Sequence, residues 1–478
     1  MAEQHGLEVR WDILPYVSGQ GLDLGCGDSR PHDWMVGVDR APGTTQRGPN
    51  LIHDVTKLEL FADKSQDFVF SSYTLNELAD MPAVLAEWWR LIKDDGYLIL
   101  YLPLTETCNP KGIVDAMVPL RPWQFVVARA NEKSMFHVYR KCNLPTVLGD
   151  PQPEKVCAVV KLGAHGDALW ASSVFPGLKD QGFHTILYTQ STGEVVLRHD
   201  PYIDEIINFE NRVPMGDLGE LFQWLQHKYS EVRILVECVE GVSLPSPVKI
   251  QYHWPLAARE AMMNHNYLDS HHLVANIPLF PKRMKFYPSE EEMLWANELR
   301  SRLNEHLVVI VPAGSGCSKY WPYTNALCHQ LCEREDVTVV GLGDRRGVEL
   351  DEHDNLLFIG TDWDIRKAMT FCQLADVVVG QETGLLNCVG MEKDVHKIVF
   401  MTHSSSEQLT RDWLNTESIR MLPECAGTTG CHLLHYDWSH CNYDEVTKSA
   451  KCQAMISADL VYEKIVPYLS AEKVALQA

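Results

Sequence analysis

The sequence predicts an α/β protein made of three successive open-sheet units, and three observations carry that prediction. Apolar strand-like runs alternate with helical patterns along most of the 478 residues. A loop of glycines and small residues follows the first strand of each unit. A Pro-rich stretch, Asn143–Pro153, holds three prolines and one glycine in eleven residues and separates the first unit from the other two. The length agrees, since a chain of this size exceeds one ordinary core and suits about three domains.

The first unit, residues 1–142, reads as strands Gly21–Gly25, Met35–Asp39, Asp67–Ser72 and Tyr97–Leu102, with a helix around Pro82–Ile92. After a linker over 143–154, the second unit spans 155–288 and opens with strand Val156–Leu162. The third spans 289–478. It begins with the charged helical pattern Glu290–Leu303 and continues through strands Leu307–Val311, Val337–Gly341, Leu356–Ile359 and Val377–Gly380. It ends in a Cys/His-rich segment over 425–452.

Composition excludes several classes. The formal net charge of −22, with no Lys/Arg stripe interleaved with aromatics, argues against nucleic acid as a partner. No apolar run approaches the roughly 18–20 residues of a membrane span, and the first residues lack a signal-peptide pattern. The expectation is a soluble, cytoplasmic protein. In that compartment the fourteen cysteines are expected to be reduced. Cys425, Cys431, Cys441 and Cys452 with His432 and His435 offer a tetrahedral zinc set. Without a Cys-x-x-Cys knuckle, packed thiols or disulfides are the favoured reading and no metal ligand is assigned.

In an open α/β sheet, ligands bind beyond the carboxyl ends of the strands, where glycines allow close backbone approach. Gly25 and Gly27 supply such a turn after the first strand. Asp39, ending the second strand, suits two ribose hydroxyls, and Asp54 suits an adenine amine. The run Asp23-Leu24-Gly25-Cys26-Gly27, with Gly37-Val38-Asp39, Ser71–Glu77 and Ile92–Pro103, resembles class I S-adenosylmethionine-dependent methyltransferases over roughly residues 18–141. The resemblance implies S-adenosyl-L-methionine as cofactor, held by Asp23, Gly25, Gly27, Asp39 and Asp54. The chain departs from the family at Tyr73 and at Asn76-Glu77, where a histidine and a Glu-His pair are usual. A Pro-Cys nucleophile and an Asn/Asp-Pro-Pro-aromatic run, as in DNA base methyltransferases, are both missing.

Farther on, Gly163-Ala164-His165-Gly166-Asp167 puts a carboxylate at a helix start, either as a cap or as a base facing a cleft. Pro312–Pro322 offers hydroxyls, including Ser315, and the ammonium of Lys319, suited to a diphosphate. Gln381-Glu382-Thr383-Gly384 opens a helix whose free N–H groups favour phosphate, with Glu382 suited to a sugar hydroxyl. In this order Gly166-Asp167, Lys319-Tyr320-Trp321-Pro322 and Ala375–Asn387 resemble the heptosyltransferase-like inverting GT-B glycosyltransferases, over roughly residues 155–466.

That resemblance implies two Rossmann-like lobes, a nucleotide-sugar donor in the second lobe, a glycan or other hydroxyl acceptor in the first, and no required metal. It suggests Asp167 as general base, Lys319 on the donor phosphates, and Glu382, Thr383 and Gly384 around the sugar and phosphates. Glu382 and Asn387 stand where the family has Asp and His, so the donor sugar stays open. The stretch Met401–Trp413 and the Cys/His segment resemble phage-borne and environmental members, which would place the protein in a host cytoplasm. The expected function is glycosyl transfer joined to a methyltransferase-like domain. The alternatives are a non-catalytic assembly protein that keeps both folds as scaffolds, or glycosylation of modified phage DNA.

Overall fold

The structure, a computed structural model, describes residues 5–105, 108–120, 122–142, 155–210, 213–239, 241, 243–345 and 348–470. The linker expected over 143–154 lies outside the described residues. The chain divides into two compact units, Met1–Glu154 with Phe209–Lys228, and Lys155–Asn208 with Tyr229–Ala478. Phe209–Lys228, read from sequence as part of the 155–288 region, therefore groups with the first unit, where Arg10 pairs with Asp217 and Glu220.

The first unit holds a seven-stranded sheet of β1 (Gly21–Leu24), β2 (Val36–Asp39), β3 (Leu51–Ile52), β4 (Gln66–Ser72), β5 (Ile92–Pro103), β6 (Gln124–Ala130) and β7 (Ser134–Arg140). Their order is β3-β2-β1-β4-β5-β7-β6; β7 runs antiparallel to β5 and to β6, and the other pairs are parallel. Alternation along β4 and β5 buries both faces. Val69, Leu98 and Leu100 pack with helix Met81–Leu91, whereas Phe68, Phe70 and Ile99 pack with Val9, Ile13 and Val17. That helix starts where Asp80 accepts the Ala83 N–H and Pro82 presets the first turn.

The second unit contains two parallel sheets and, in its tail, a short antiparallel pair, Tyr443–Asp444 with Ser449–Ala450. The first lobe orders β8 (Val156–Val160), β9 (His184–Thr189), β10 (Glu205–Asn208) and β11 (Glu231–Ile234) as β10-β9-β8-β11. The second lobe consists of β12 (His306–Val311), β13 (Val337–Leu342), β14 (Leu356–Gly360), β15 (Val377–Gln381), β16 (His396–Phe400) and β17 (Thr416–Ile419), ordered β14-β13-β12-β15-β16-β17. Their near-continuous Val/Ile/Leu runs are what a strand covered on both faces requires. One apolar cluster runs through both lobes, including Val159, Leu169 and Leu187 from the first and Val309, Val378 and Val399 from the second. Arg366 fastens the lobes, donating to Glu292 at 2.6 Å and to the carbonyls of Val195 and Val196. Among the described residues no helix is long and apolar enough to cross a membrane.

Candidate functional site

In the first unit the turn after β1 depends on glycine. Gly25 has φ +75° and a Cβ there would lie 2.1 Å from Thr74 Oγ1; Gly27 follows at φ +51°. The turn is pinned by Gly25 N–H to Val38 O at 2.8 Å and by Gly27 N–H to Asp39 Oδ2 at 2.9 Å. Thus Gly25, Gly27 and Asp39 converge at the ends of β1 and β2. Asp54 follows β3, exposed, and its carboxylate accepts the Thr56 N–H and hydroxyl, which hold it below its usual range. Asp23 stands apart, 1% exposed within β1, where burial pushes its carboxyl well above the usual carboxylate range. At the end of β4, Tyr73 adopts φ +53°, stacks on His5 at 3.7 Å and hydrogen-bonds through its hydroxyl to Ser134 Oγ at 2.8 Å.

The second unit holds a cleft of about 560 Å³ between the carboxyl ends of β8 and β12. Asp167, Ser315, Lys319, Glu382, Thr383 and Gly384, all singled out from sequence, line it together. The lobes meet closely here. A Cβ on Gly166 would fall 2.8 Å from the amide end of Asn387, so a side chain there would push Asn387 aside. With its amide turned to satisfy both neighbours, Asn387 donates to Thr383 O at 3.0 Å and accepts from Trp170 Nε1 at 3.2 Å.

The polar wall of the cleft is built around a buried ion pair. Lys319 Nζ donates to Glu382 Oε2 at 2.5 Å and to the Glu382 carbonyl at 3.0 Å. Beside it Thr383 Oγ1 is buried without a partner, an unmet hydrogen-bonding capacity that a ligand oxygen would satisfy. The helix that Thr383 precedes is only Gly384–Asn387, so its dipole contribution is that of a single turn. Asp167 is half-buried and its Oδ2 accepts the Ala164 N–H at 2.9 Å, the capping contact, while its side chain also faces the cleft. His165, half-buried on the same wall, is shifted toward its neutral form by burial.

Sequence reasoning missed several lining residues, Asp344, Leu434 and Tyr436 among them. Asp344 follows β13 directly after Gly343, an acid at a strand end as Asp39 is in the first unit. Leu434 and Tyr436 come from the Cys/His-rich tail, and no local pattern marked them as cleft residues.

In that tail, Cys425, Cys431, Cys441, Cys452 and His435 surround a separate cavity of about 60 Å³. The cysteines are free, and Cys431 Sγ lies 3.3 Å from His435 Nε2. Burial pushes the Cys431 thiol up to about 12 and His435 down to about 4, so both are neutral. His432 instead meets Thr429 Oγ1 at 2.7 Å. Among the described residues, no three His, Cys, Asp or Glu side chains are grouped so as to hold a metal ion.

The first unit's doubly wound strand order and glycine turn are Rossmann-like. The two parallel sheets of the second unit flank the cleft as two lobes. Residues 22–100 match the family model described as a methyltransferase domain. No curated protein matches the chain in sequence. Among solved structures, the chain is similar to the E. coli ADP-heptose LPS heptosyltransferase II, at 15% identity over 66% of this chain and 98% of that one, TM-score 0.45. It is also similar to a glycosyl transferase family 9 protein from Veillonella parvula DSM 2008, at 14% identity over 67% and 98%, TM-score 0.47. A third similarity is to a SAM-dependent methyltransferase from Thermotoga maritima, a possible histamine N-methyltransferase, at 18% identity over 29% and 88%, TM-score 0.23.

Proposed function

We propose that the second unit is a glycosyltransferase that moves a sugar, with inversion, from a nucleoside-diphosphate donor to a hydroxyl acceptor such as a glycan. The observation that carries this reading is the meeting of Asp167, Lys319, Glu382 and the unpartnered Thr383 hydroxyl around one cleft. Asp167 removes the acceptor's proton as its oxygen attacks the anomeric carbon. Lys319, Thr383 Oγ1 and the Gly384 N–H stabilise the departing diphosphate. Asp344 suits the ribose hydroxyls at the end of β13. A single displacement of this kind inverts the sugar carbon.

The first unit is proposed to bind S-adenosyl-L-methionine. Gly25 and Gly27 bring bare backbone to the strand end, and Asp39 beside Gly27 presents acceptors for a ribose. When bound, that cofactor supplies an electrophilic methyl group. A reading in which this unit binds without transferring methyl is favoured by Tyr73, whose hydroxyl is tied to Ser134 at the strand end where relatives usually carry histidine.

The test is a thermal-shift screen of sugar nucleotides, with S-adenosylmethionine as a separate arm, followed by an assay for nucleoside diphosphate release. A ligand specific for the folded state raises apparent stability by about 2.7 kcal/mol at a hundred times its Kd. Absence of any stabilising sugar nucleotide would remove the glycosyltransferase reading.

A further inference from the structure

The topology gives the cleft a direction. Asp344 follows β13 on one side of β12, the position suited to a ribose, and Lys319 and Thr383 occupy the centre after β12 and β15. A diphosphate at the centre with its nucleoside toward β13 sends the sugar the other way, toward β16. The Cys/His-rich tail stands on that side, where the His432 N–H donates to the carbonyl of His403, just past β16, at 2.8 Å.

From that tail Tyr436 reaches the cleft wall while remaining 64% exposed. The first lobe contributes Val239, Leu244 and Tyr267 to the same cleft. The ring's location is fixed through its neighbours. Cys317, in the loop carrying Lys319, donates its N–H to His435 O at 3.1 Å and its thiol to Asp437 O at 2.9 Å. The first lobe holds the same segment, through Arg259 Nε to Cys431 O at 2.7 Å and the Leu434 N–H to Pro245 O at 3.3 Å. A largely exposed tyrosine on the cleft wall, held through its neighbours by both lobes, suits a ring with one apolar face and hydroxyls at its rim.

We infer that Tyr436 is a specificity-determining residue, the platform on which a pyranose ring stacks at the sugar end of the cleft. This rests on the glycosyltransferase reading, and the pyranose is either the donor's sugar or the acceptor's terminal residue. The test compares full-length wild type, Tyr436→Phe and Tyr436→Ala. Calorimetry with ADP, UDP and GDP is set against ADP-glucose, UDP-glucose and GDP-mannose, and saturation-transfer NMR with methyl glycosides is run in the presence of the diphosphate that binds best.

Bare diphosphates should bind all three proteins equally. If the ring holds the donor sugar, the sugar nucleotides weaken roughly 5- to 10-fold in Tyr436→Ala and are unchanged in Tyr436→Phe. If it holds the acceptor, the sugar nucleotides are unaffected and the glycoside signal falls in Tyr436→Ala alone. Tyr436→Ala matching wild type in both arms overturns the inference. A wild-type protein that binds no diphosphate or sugar nucleotide rejects the underlying reading, and the inference with it.

Discussion

Lys319 Nζ lies 2.5 Å from Glu382 Oε2, in an ion pair whose side chains are 10% and 11% exposed. The carboxylate stands where the resembling family has the shorter Asp. Under the proposed function, a donor diphosphate would meet an ammonium already oriented by Glu382 and shared with it.

Replacing Lys319 by Ala is expected to weaken binding of the donor by about 1–3 kcal/mol, the range for losing a charge-assisted hydrogen bond. The variant should also lose thermal stability, because Glu382 is left buried without its counter-charge. Calorimetry with the best sugar nucleotide from the screen checks the first effect. Unchanged affinity would move the phosphates elsewhere in the cleft.

Asp39→Ala should reduce S-adenosylmethionine binding at the first unit. It removes both the ribose acceptor and the carboxylate that holds the Gly27 N–H. Calorimetry in which wild type and variant bind alike would separate the cofactor from the end of β2.

Asp200 gives a pH prediction. It is 6% exposed, and burial pushes its carboxyl up to about 7 even though it accepts the Tyr202 N–H at 2.9 Å. The folded state thus holds a proton that the unfolded chain releases near 4. The penalty for ionising Asp200 is absent below about pH 4, grows as pH rises, and is complete above about pH 7. Thermal denaturation of Asp200→Asn should accordingly show higher stability than wild type at pH 8 and a smaller difference at pH 5. Parallel pH profiles would count against this assignment.

Much of this was legible in local sequence. Strand runs such as Val377–Gly380 declare themselves because both faces are buried, and the turn after β1 because Gly25 and Gly27 carry positive φ. Lys319, Glu382 and Asp167 were visible as chemistry, but their relations were not. The Lys319–Glu382 pair joins loops after β12 and β15, and sequence spacing does not encode which oxygen an ammonium meets. Pairing of β6 with β7 at the sheet edge was missed for a similar reason: the register of an antiparallel pair is set by its partner. Tyr436 is carried to the cleft by its neighbours, Asp437 meeting Cys317 and Cys431 meeting Arg259 of the first lobe, and no local sequence pattern signals that role.

The capping contact from Asp167 Oδ2 to the Ala164 N–H and the position of the same side chain on the cleft wall make Asp167 the sharpest test of the whole account. The measurement is the rate of nucleoside diphosphate release at saturating donor and acceptor for wild type, Asp167→Asn and Asp167→Ala, with melting temperature recorded alongside. Asn keeps an oxygen for the cap and loses the base. The expected result is that Asp167→Asn folds and binds donor like wild type while turnover drops by roughly 10² to 10⁴, the usual contribution of a positioned general base. Near-wild-type turnover in Asp167→Asn, with stability lost only in Asp167→Ala, would reduce Asp167 to a helix cap and contradict the proposed transfer mechanism.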